Sequence, residues 1–364
     1  MTSTHLSCNK CLLDTSFPNT SINSEGLCNL CATDTLFKPY GEDKLIKIFQ
    51  KAKNKKRPYD ALVPLSGGKD STFVLYLATK VYGLNVLTFT FNNGFFSDKA
   101  LKNIETANRI CNADHIWFKL DEVLLNKFYK TALYHSGEMC GICGIGIERA
   151  MLKISEAWHT PLILLGHSPV EHNSSSPEDI YDQVRIEAIL KENPKITKRE
   201  LEQYFIYPKL NFIKTFLYSR IGKFGRKVNP FYYINLPSGK EITKILEKEL
   251  EWIDDKSSEY SRHFDCLAEP LTNYIRDRRL GFSRRASQLS NMIRNNEITR
   301  SEGESIIKSD KETANKVNYS EILEILDLSY NDLEQICNIP TNKYKDHSSK
   351  YNKMFALMRK YLHK

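Results

Sequence analysis

The stretch that most constrains this chain is an apolar run over residues 59–65 that leads directly into Ser66-Gly67-Gly68-Lys69-Asp70-Ser71-Thr72. From residue 71 to 82 apolar residues recur at helical spacing, and Gly83 stops the pattern. A strand that turns at once into a helix is one βα unit, and the pattern repeats. Residues 85–91 read as a strand, 97–111 as a helix, 115–120 as a strand, roughly 146–159 as a helix and 161–166 as a strand. This alternation predicts an α/β fold, a parallel sheet with helices on both faces. In such sheets ligands bind at the carboxyl ends of the strands.

The turn itself has the chemistry of a phosphate cradle. Adjacent glycines permit backbone conformations closed to other residues and let a ligand approach the main chain. The helix start supplies N–H groups and a partial positive charge. Lys69 adds a full charge, Ser66, Ser71 and Thr72 offer hydroxyls, and Asp70 orients the turn or holds Mg²⁺ between phosphates. The expected ligand carries phosphate groups, as a nucleotide does. The spacing is not that of a Walker loop, which requires Gly-x-x-x-x-Gly-Lys-Ser/Thr. Gly166-His167-Ser168 ends a later strand and is expected at the same edge, with His167 either on phosphate or substrate or capping the backbone.

Composition sets the compartment. Hydrophobic residues make up 41% and charged residues 26%, an ordinary globular balance. The N-terminus is polar, and no run approaches the roughly 18 apolar residues of a membrane helix. The expectation is an intracellular, cytoplasmic protein. The net charge of +8 suits an anionic ligand, with basic clusters at residues 51–57 and 276–285.

Nine cysteines in such a chain point to metal or sulfur chemistry rather than disulfides, because six of them form three Cys-x-x-Cys pairs. Cys8/Cys11 and Cys28/Cys31 lie in a segment too polar to build its own core. Four thiolates at that spacing predict a structural zinc, whose four sulfurs leave no open catalytic position. Cys140-Gly-Ile-Cys143-Gly144 precedes Glu148 and Arg149 in the long crossing between strands, within reach of the carboxyl edge. Three readings stand for it: a nucleophile or persulfide carrier, an iron–sulfur site with Cys266 as third ligand, or small residues in an inert tight loop. Cys111 and Cys337 read as core thiols.

The remaining organisation reads as a zinc-binding ribbon over residues 1–40, a nucleotide domain over 41–250 and a helical region over 251–364. A helix is expected over 43–53, a polar loop with three serines over 172–177, a returning strand over 229–237 and a helix over 240–252. Thr299 and Glu302 fit a capping box.

The Ser66-Gly-Gly-Lys-Asp70-Ser71 turn resembles the SGGxDS loop of N-type ATP pyrophosphatases, the PP-loop superfamily. That resemblance implies an adenine nucleotide alpha hydrolase-like fold and cleavage of ATP to AMP and pyrophosphate, with an adenylylated intermediate resolved by ammonia or sulfur. It also implies that Asn92-Asn93-Gly94-Phe95 lies near the adenosine, where a plain Asn-Gly turn is the alternative. The Cys140-x-x-Cys143-Gly segment followed by Arg resembles the pair in cluster-dependent tRNA thiolation enzymes of the same superfamily.

Cys8-Asn-Lys-Cys11-Leu-Leu-Asp-Thr15 and Asn23-Ser-Glu-Gly-Leu-Cys28-Asn-Leu-Cys31 are similar to the opening of N-acetyl sugar amidotransferases of surface-polysaccharide and nonulosonic-acid pathways. So is the later series from Trp252 through His263-Phe-Asp265-Cys266, Gly281-Phe-Ser-Arg284 and Ile298-Thr-Arg300-Ser-Glu302. This resemblance implies conversion of a sugar acetamido group to acetamidino, with ammonia supplied by a separate glutaminase partner. Lys69 stands where many members carry another residue, often Val, and the internal cysteine pair is not needed for that chemistry. An ATP-dependent sulfur transferase, fed by a sulfur donor protein and acting on a tRNA base or a small molecule such as a purine, therefore stands as the alternative. A zinc-containing nucleic-acid adaptor with a vestigial loop is the third reading.

Overall fold

The computed structural model describes residues 5–17, 20–33, 37–53, 56–169, 181–205, 224–254, 265–281, 283–314 and 319–340. The expected 172–177 loop, His263 and Phe282 lie outside the described residues.

The centre is a five-stranded sheet in the order β3-β2-β1-β4-β5, every neighbouring pair parallel. Its strands are β1 (Ala61–Pro64), β2 (Val86–Phe91), β3 (Asp114–Phe118), β4 (Leu162–Leu164) and β5 (Arg226–Val228). Every residue of β2 is buried, as a strand covered on both faces requires. The side-chain alternation divides the sheet between two cores. Leu62, Leu87, Phe89, Phe91 and Ile163 face one, while Ala61, Val63, Val86, Leu162, Leu164 and Val228 face the other.

The helices, in chain order, are α1 (Asn29–Ala32), α2 (Glu42–Ala52), α3 (Lys69–Tyr76), α4 (Asp98–Cys111), α5 (Glu122–Ser136), α6 (Cys140–Trp158), α7 (Gln183–Lys191), α8 (Lys198–Tyr204), α9 (Gly239–Leu250), α10 (Glu269–Leu280), α11 (Arg284–Arg294), α12 (Arg300–Ala314), α13 (Ser320–Ile325) and α14 (Tyr330–Cys337). The second core joins α2, α3, α4 and α9. The first joins α5, α6, α7, α8, α10, α13 and α14. Both faces are thus covered, the architecture the alternating pattern predicts.

Three local readings differ from the sequence pattern. The returning strand is β5 at Arg226–Val228, before residues 229–237. Pro230 has no N–H to give the ladder, and Asn229 instead caps a short 3₁₀ turn, accepting from Phe231 N–H at 3.0 Å. The long crossing contains α5, which the pattern left unassigned despite its Asp121 cap and the left-handed Gly137 that ends it. Most consequential, α6 begins at Cys140, not near Gly146, so the internal Cys-x-x-Cys pair sits in its first turn rather than a loop. Its glycines there serve packing. A Cβ on Gly146 would stand 2.3 Å from the Phe91 ring and one on Gly144 2.5 Å from the Tyr181 ring.

The N-terminal ribbon does not stand apart. Its four cysteines, Leu13 and Phe17 share a core with Ala286, Leu289, Met292 and Ile293 of α11 and with Ile298 just before α12. Ser290 accepts from Leu12 N–H at 3.1 Å, and Arg300 donates to the Cys8 carbonyl and, at 3.0 Å, to the Cys11 carbonyl. Thr299 and Glu302 form the expected capping box at the start of α12.

Candidate functional site

In this strand order the chain leaves β1 toward β2 on one side, and β4 lies on the other. The carboxyl edge beyond β1 is therefore a topological switch point, where an open α/β sheet forms a crevice. Ser66–Ser71 follows β1, Asn92 and Asn93 follow β2, and Gly166-His167 follows β4, so these predicted segments share one edge.

The turn after β1 is built around Gly67. Its φ is +78°, and a Cβ there would stand 2.3 Å from the Ala100 carbonyl oxygen in the first turn of α4, so only glycine fits. The Gly67 carbonyl points inward, accepting from Trp252 Nε1–H at 2.9 Å and Asn103 Nδ2–H at 3.2 Å. Asn103 in turn pairs with the Ile253 backbone, donating to its carbonyl at 3.0 Å and accepting from its N–H at 2.8 Å. Ser71 Oγ accepts from Ser66 N–H at 3.1 Å, and Ser66 Oγ accepts from Gly68 N–H at 3.3 Å.

No side chain caps the start of α3 at Gly68. A helix start of this kind favours an anion. Lys69 forms an ion pair with Asp70 at 3.2 Å, both side chains largely shielded. A Cβ on Gly239 would lie 3.4 Å from Lys69 Nζ, so the ammonium sits beside the start of α9. Thr72 departs from the expected phosphate contact. It is fully buried, and its hydroxyl donates to the Gly68 carbonyl at 2.9 Å, so it serves the turn from inside.

Gly166 abuts α3, where a Cβ would stand 2.9 Å from the Asp70 carbonyl oxygen. The His167 side chain is exposed, and its carbonyl accepts from Asn229 Nδ2–H at 2.7 Å. Asn92 Oδ1 accepts from Gly94 N–H at 3.0 Å, closing the tight turn after β2. Its neighbour Asn93 looks the other way and donates to Cys143 Sγ at 3.7 Å.

The internal cysteines gather around this edge by two routes. Cys143 meets Asn93, as above. Cys266 bridges antiparallel to Phe96, with Leu267 N–H donating to the Phe95 carbonyl at 2.7 Å, which lays residues 265–267 along the end of the β2 turn. Asp265, one residue earlier, brings Oδ2 within 3.3 Å of where a Gly68 Cβ would sit. Burial and the charge of Cys140 push the Cys143 thiol up to about 12, and burial with the charges of Cys140 and Cys143 raises Cys266 further. The three thiols are thus electrostatic neighbours. They are not clustered as tightly as a single ion demands: among the described residues, only the ribbon set has its sulfurs within 4.8 Å of one another.

A buried ion pair fixes the internal pair from behind. Arg276 of α10 donates through Nε to Glu138 Oε2 at 2.6 Å and through Nη2 to Glu138 Oε1 at 2.7 Å, with side chains 7% and 4% exposed. Glu138 Oε1 also accepts from Cys140 N–H at 2.8 Å. Burial works against the Arg276 charge, but Cys140 and Glu138 outweigh it and hold the guanidinium protonated.

The ribbon cysteines fit one tetrahedral ion. Zn–S bonds of about 2.3 Å set tetrahedral sulfurs roughly 3.8 Å apart, and Cys11 Sγ lies 3.7 Å from Cys28 Sγ. Cys8 Sγ accepts from the N–H groups of Lys10, Cys11 and Cys28 at 3.2–3.5 Å. Burial pushes this thiol up, but those donors outweigh burial and bring it down to about 6. Arg294 adds a donor to Cys11 Sγ at 3.6 Å.

Asn103, Trp252, Glu138 and Arg276 were not singled out as site residues from sequence. Asn103 carries a legible signal, a polar side chain only 1% exposed on the apolar face of α4. Trp252 follows a helix whose last residue is Leu250, at a point where a large ring must find cover. Nothing local to Glu138 or Arg276 reveals their pairing, because 138 residues separate them.

Comparison with known proteins adds three findings. Residues 257–361 match the family described as LPS biosynthesis protein WbpG-like, C-terminal domain. The uncharacterized protein MJ1599 of Methanocaldococcus jannaschii is 25% identical over 179 residues, which cover 46% of this chain and 62% of that protein. The chain thus matches less than two thirds of this curated relative's length. Among solved structures, the U34-tRNA thiolase NcsA from Methanococcus maripaludis, with its 4Fe-4S cluster, is 15% identical with a TM-score of 0.37, covering 86% of this chain and 89% of that one. No described helix is long and apolar enough to cross a membrane.

Proposed function

We propose that this chain is an ATP-dependent enzyme that adenylylates an amide oxygen of an N-acetyl sugar and replaces that oxygen with nitrogen. The carrying observation is the Gly67-Gly68 turn at the switch point, with its carbonyl turned inward and an uncapped helix start beyond it. The substrate class is supported by the LPS-biosynthesis match over residues 257–361.

In this reading the amide oxygen attacks the α-phosphorus of ATP. The bond to the bridging oxygen breaks, and pyrophosphate leaves with the electron pair. Lys69 and the start of α3 stabilise the charge that gathers on it. Ser66 and Ser71 hold the turn, and Asp70 steers Lys69. Mg²⁺ would balance the phosphate charge. Ammonia then adds to the activated carbon and AMP departs with the former amide oxygen. Loss of a proton leaves the acetamidino group. A glutaminase partner supplies the ammonia. Zinc at Cys8, Cys11, Cys28 and Cys31 is structural.

A second reading is favoured by one observation, the gathering of Cys140, Cys143 and Cys266 beside the turn. Here a donor protein's persulfide passes its outer sulfur to one of these thiols. That sulfur attacks the activated carbon of a tRNA base or small molecule, and AMP leaves with the former oxygen. A neighbouring thiol cleaves the S–S bond, supplying the two electrons and leaving a disulfide. An iron–sulfur cluster held by the three thiols is the other route.

The test is direct. Anaerobically purified protein receives MgATP, ammonium and nucleotide-linked N-acetyl sugars, and products are followed by mass. AMP, pyrophosphate and exchange of oxygen for NH support the proposal. Exchange of oxygen for sulfur, with iron bound through the internal cysteines, transfers the assignment to the second reading. Absence of AMP release with every acceptor, under conditions where the protein is folded and zinc-loaded, removes both.

A further inference from the structure

We infer that Trp252 and Asn103 are positioning residues that fix the phosphate turn through one atom, the Gly67 carbonyl oxygen. The inference rests on the phosphate-cradle reading of that turn and goes beyond it, because neither side chain is expected to touch the nucleotide.

The argument starts from the peptide unit. The Gly67 carbonyl and the Gly68 N–H belong to the same planar trans peptide and point in opposite directions. Whatever holds the carbonyl inward therefore aims the N–H outward, to the side where Ser66 Oγ accepts it at 3.3 Å. Between two glycines this peptide has little to resist a flip, since neither residue carries a Cβ to penalise the alternative. A flipped peptide would turn the carbonyl oxygen, with its partial negative charge, toward an incoming phosphate.

Two donors prevent that flip. Trp252 Nε1–H and Asn103 Nδ2–H converge on the oxygen at 2.9 and 3.2 Å. Their residues are 3% and 1% exposed, so neither donor has water as a substitute partner. Flipping the peptide would strand both donors in the interior, where an unmade hydrogen bond is costly. The clamp is itself braced. Asn103 is held at both ends by the Ile253 backbone, and Trp252 and Ile253 follow the left-handed Glu251 that ends α9. The start of α9 in turn lies against Lys69. Helices α4 and α9, both packed against α3, thereby converge on the turn.

The variant Trp252→Phe keeps the ring and loses only the N–H, while Asn103→Ala removes the second donor. A residue that merely fills the core would weaken folding without discriminating between nucleotides. A residue that aims the turn acts on the phosphates beyond the α-position, so ATP should suffer and AMP should not. For full-length, zinc-loaded Trp252→Phe, the expected result is a Kd for MgATP raised about five- to tenfold with the Kd for AMP unchanged. Asn103→Ala is expected to show the same selectivity and serves if the Phe variant does not fold. Equal losses for ATP and AMP, or wild-type ATP affinity in a folded variant, overturn the inference while leaving the phosphate-cradle reading in place. Failure of the wild-type protein itself to bind MgATP overturns that reading, and the clamp with it.

Discussion

The chain uses Cys-x-x-Cys in two settings, and they are built differently. In the ribbon, Cys8, Cys11, Cys28 and Cys31 are all buried, and all four sulfurs lie within 4.8 Å of one another. Inside the α/β half, Cys140 and Cys143 occupy the first turn of α6 and are half-buried, and Cys266 arrives from a separate segment. The ribbon sulfurs collect backbone N–H donors and surround a point. The internal ones are electrostatic neighbours beside the phosphate turn without gathering on one point. Identical local spacing thus yields a tight four-sulfur group in one place and a looser grouping in the other. What separates them is the surrounding chain: tight knuckles in the ribbon, a helix start and a bridging segment in the interior.

The largest expected effect tests the tight group. Removing zinc with a strong chelator, or substituting Cys11→Ser, should unfold the ribbon, because structural zinc carries on the order of 10 kcal/mol of apparent folding free energy in small domains. The shared core with α11 and α12 means the damage should spread. Limited proteolysis should then cut within residues 284–314, which the intact protein protects. Unchanged protection there after complete loss of zinc would show that the ribbon and these helices do not depend on each other.

The next effect tests the interior brace. Glu138→Ala leaves Arg276 buried and unpaired and should cost about 3–5 kcal/mol, read as a large drop in Tm. An exposed pair provides the contrast: Arg109 and Glu251 touch at 2.9 Å with side chains 63% and 67% exposed, and Arg109→Ala should change stability by about 1 kcal/mol or less. If the two substitutions destabilise equally, the brace behind Cys140 is not what holds the first turn of α6.

The two settings also differ in how far sequence alone reveals them. Spacing within a polar segment that could not fold by burial was enough to find the ribbon. The parallel sheet and its phosphate turn followed from the strand-glycine-helix order, since apolar periodicity and backbone freedom are local properties. What escaped was set by distant contacts. The start of α6 was misplaced because Gly141, Gly144 and Gly146 look like loop residues until Phe91 and Tyr181 are seen packed against two of them. Glu138 and Arg276 act through each other across a long stretch of sequence, so no local pattern could assign them, and the local cues at Asn103 and Trp252 mark burial without naming a partner. Thr72 reads as a phosphate ligand because its hydroxyl follows Ser66 and Ser71 in the turn, and only the fold shows that hydroxyl turned inward.

A smaller perturbation to the molecule sharpens the looser grouping. Cys143→Ser exchanges one sulfur for oxygen at a half-buried position with a long contact from Asn93, and folding should be nearly unaffected. If the internal group carries sulfur, transfer falls to background and any bound iron is lost or altered. If the enzyme delivers ammonia, AMP release and amidine formation continue at the wild-type rate. Loss of AMP formation in a correctly folded variant would tie the thiol to adenylylation itself and break the separation of the two steps.

The last effect separates the two halves by pH. On the edge strand β3, burial lowers His115 from 6.5 to about 4, and its Nδ1 lies 2.8 Å from the Thr88 hydroxyl. The unfolded chain therefore binds this proton at higher pH than the folded one. Its contribution to stability is whole above about pH 6.5 and is lost progressively as the pH falls toward 4, with no further loss below. Acid acts on the ribbon in the same direction but through other groups, because protonated thiols release their metal. Thermal unfolding of wild-type and His115→Gln protein across this window, with zinc release followed in parallel, distinguishes the contributions. The wild-type curve should fall more steeply with acid than the variant curve, while zinc is released at the same pH in both. Parallel curves would show that the histidine titrates alike in the folded and unfolded chain and leave the acid response to the ribbon and to carboxylates such as Glu200 and Asp332.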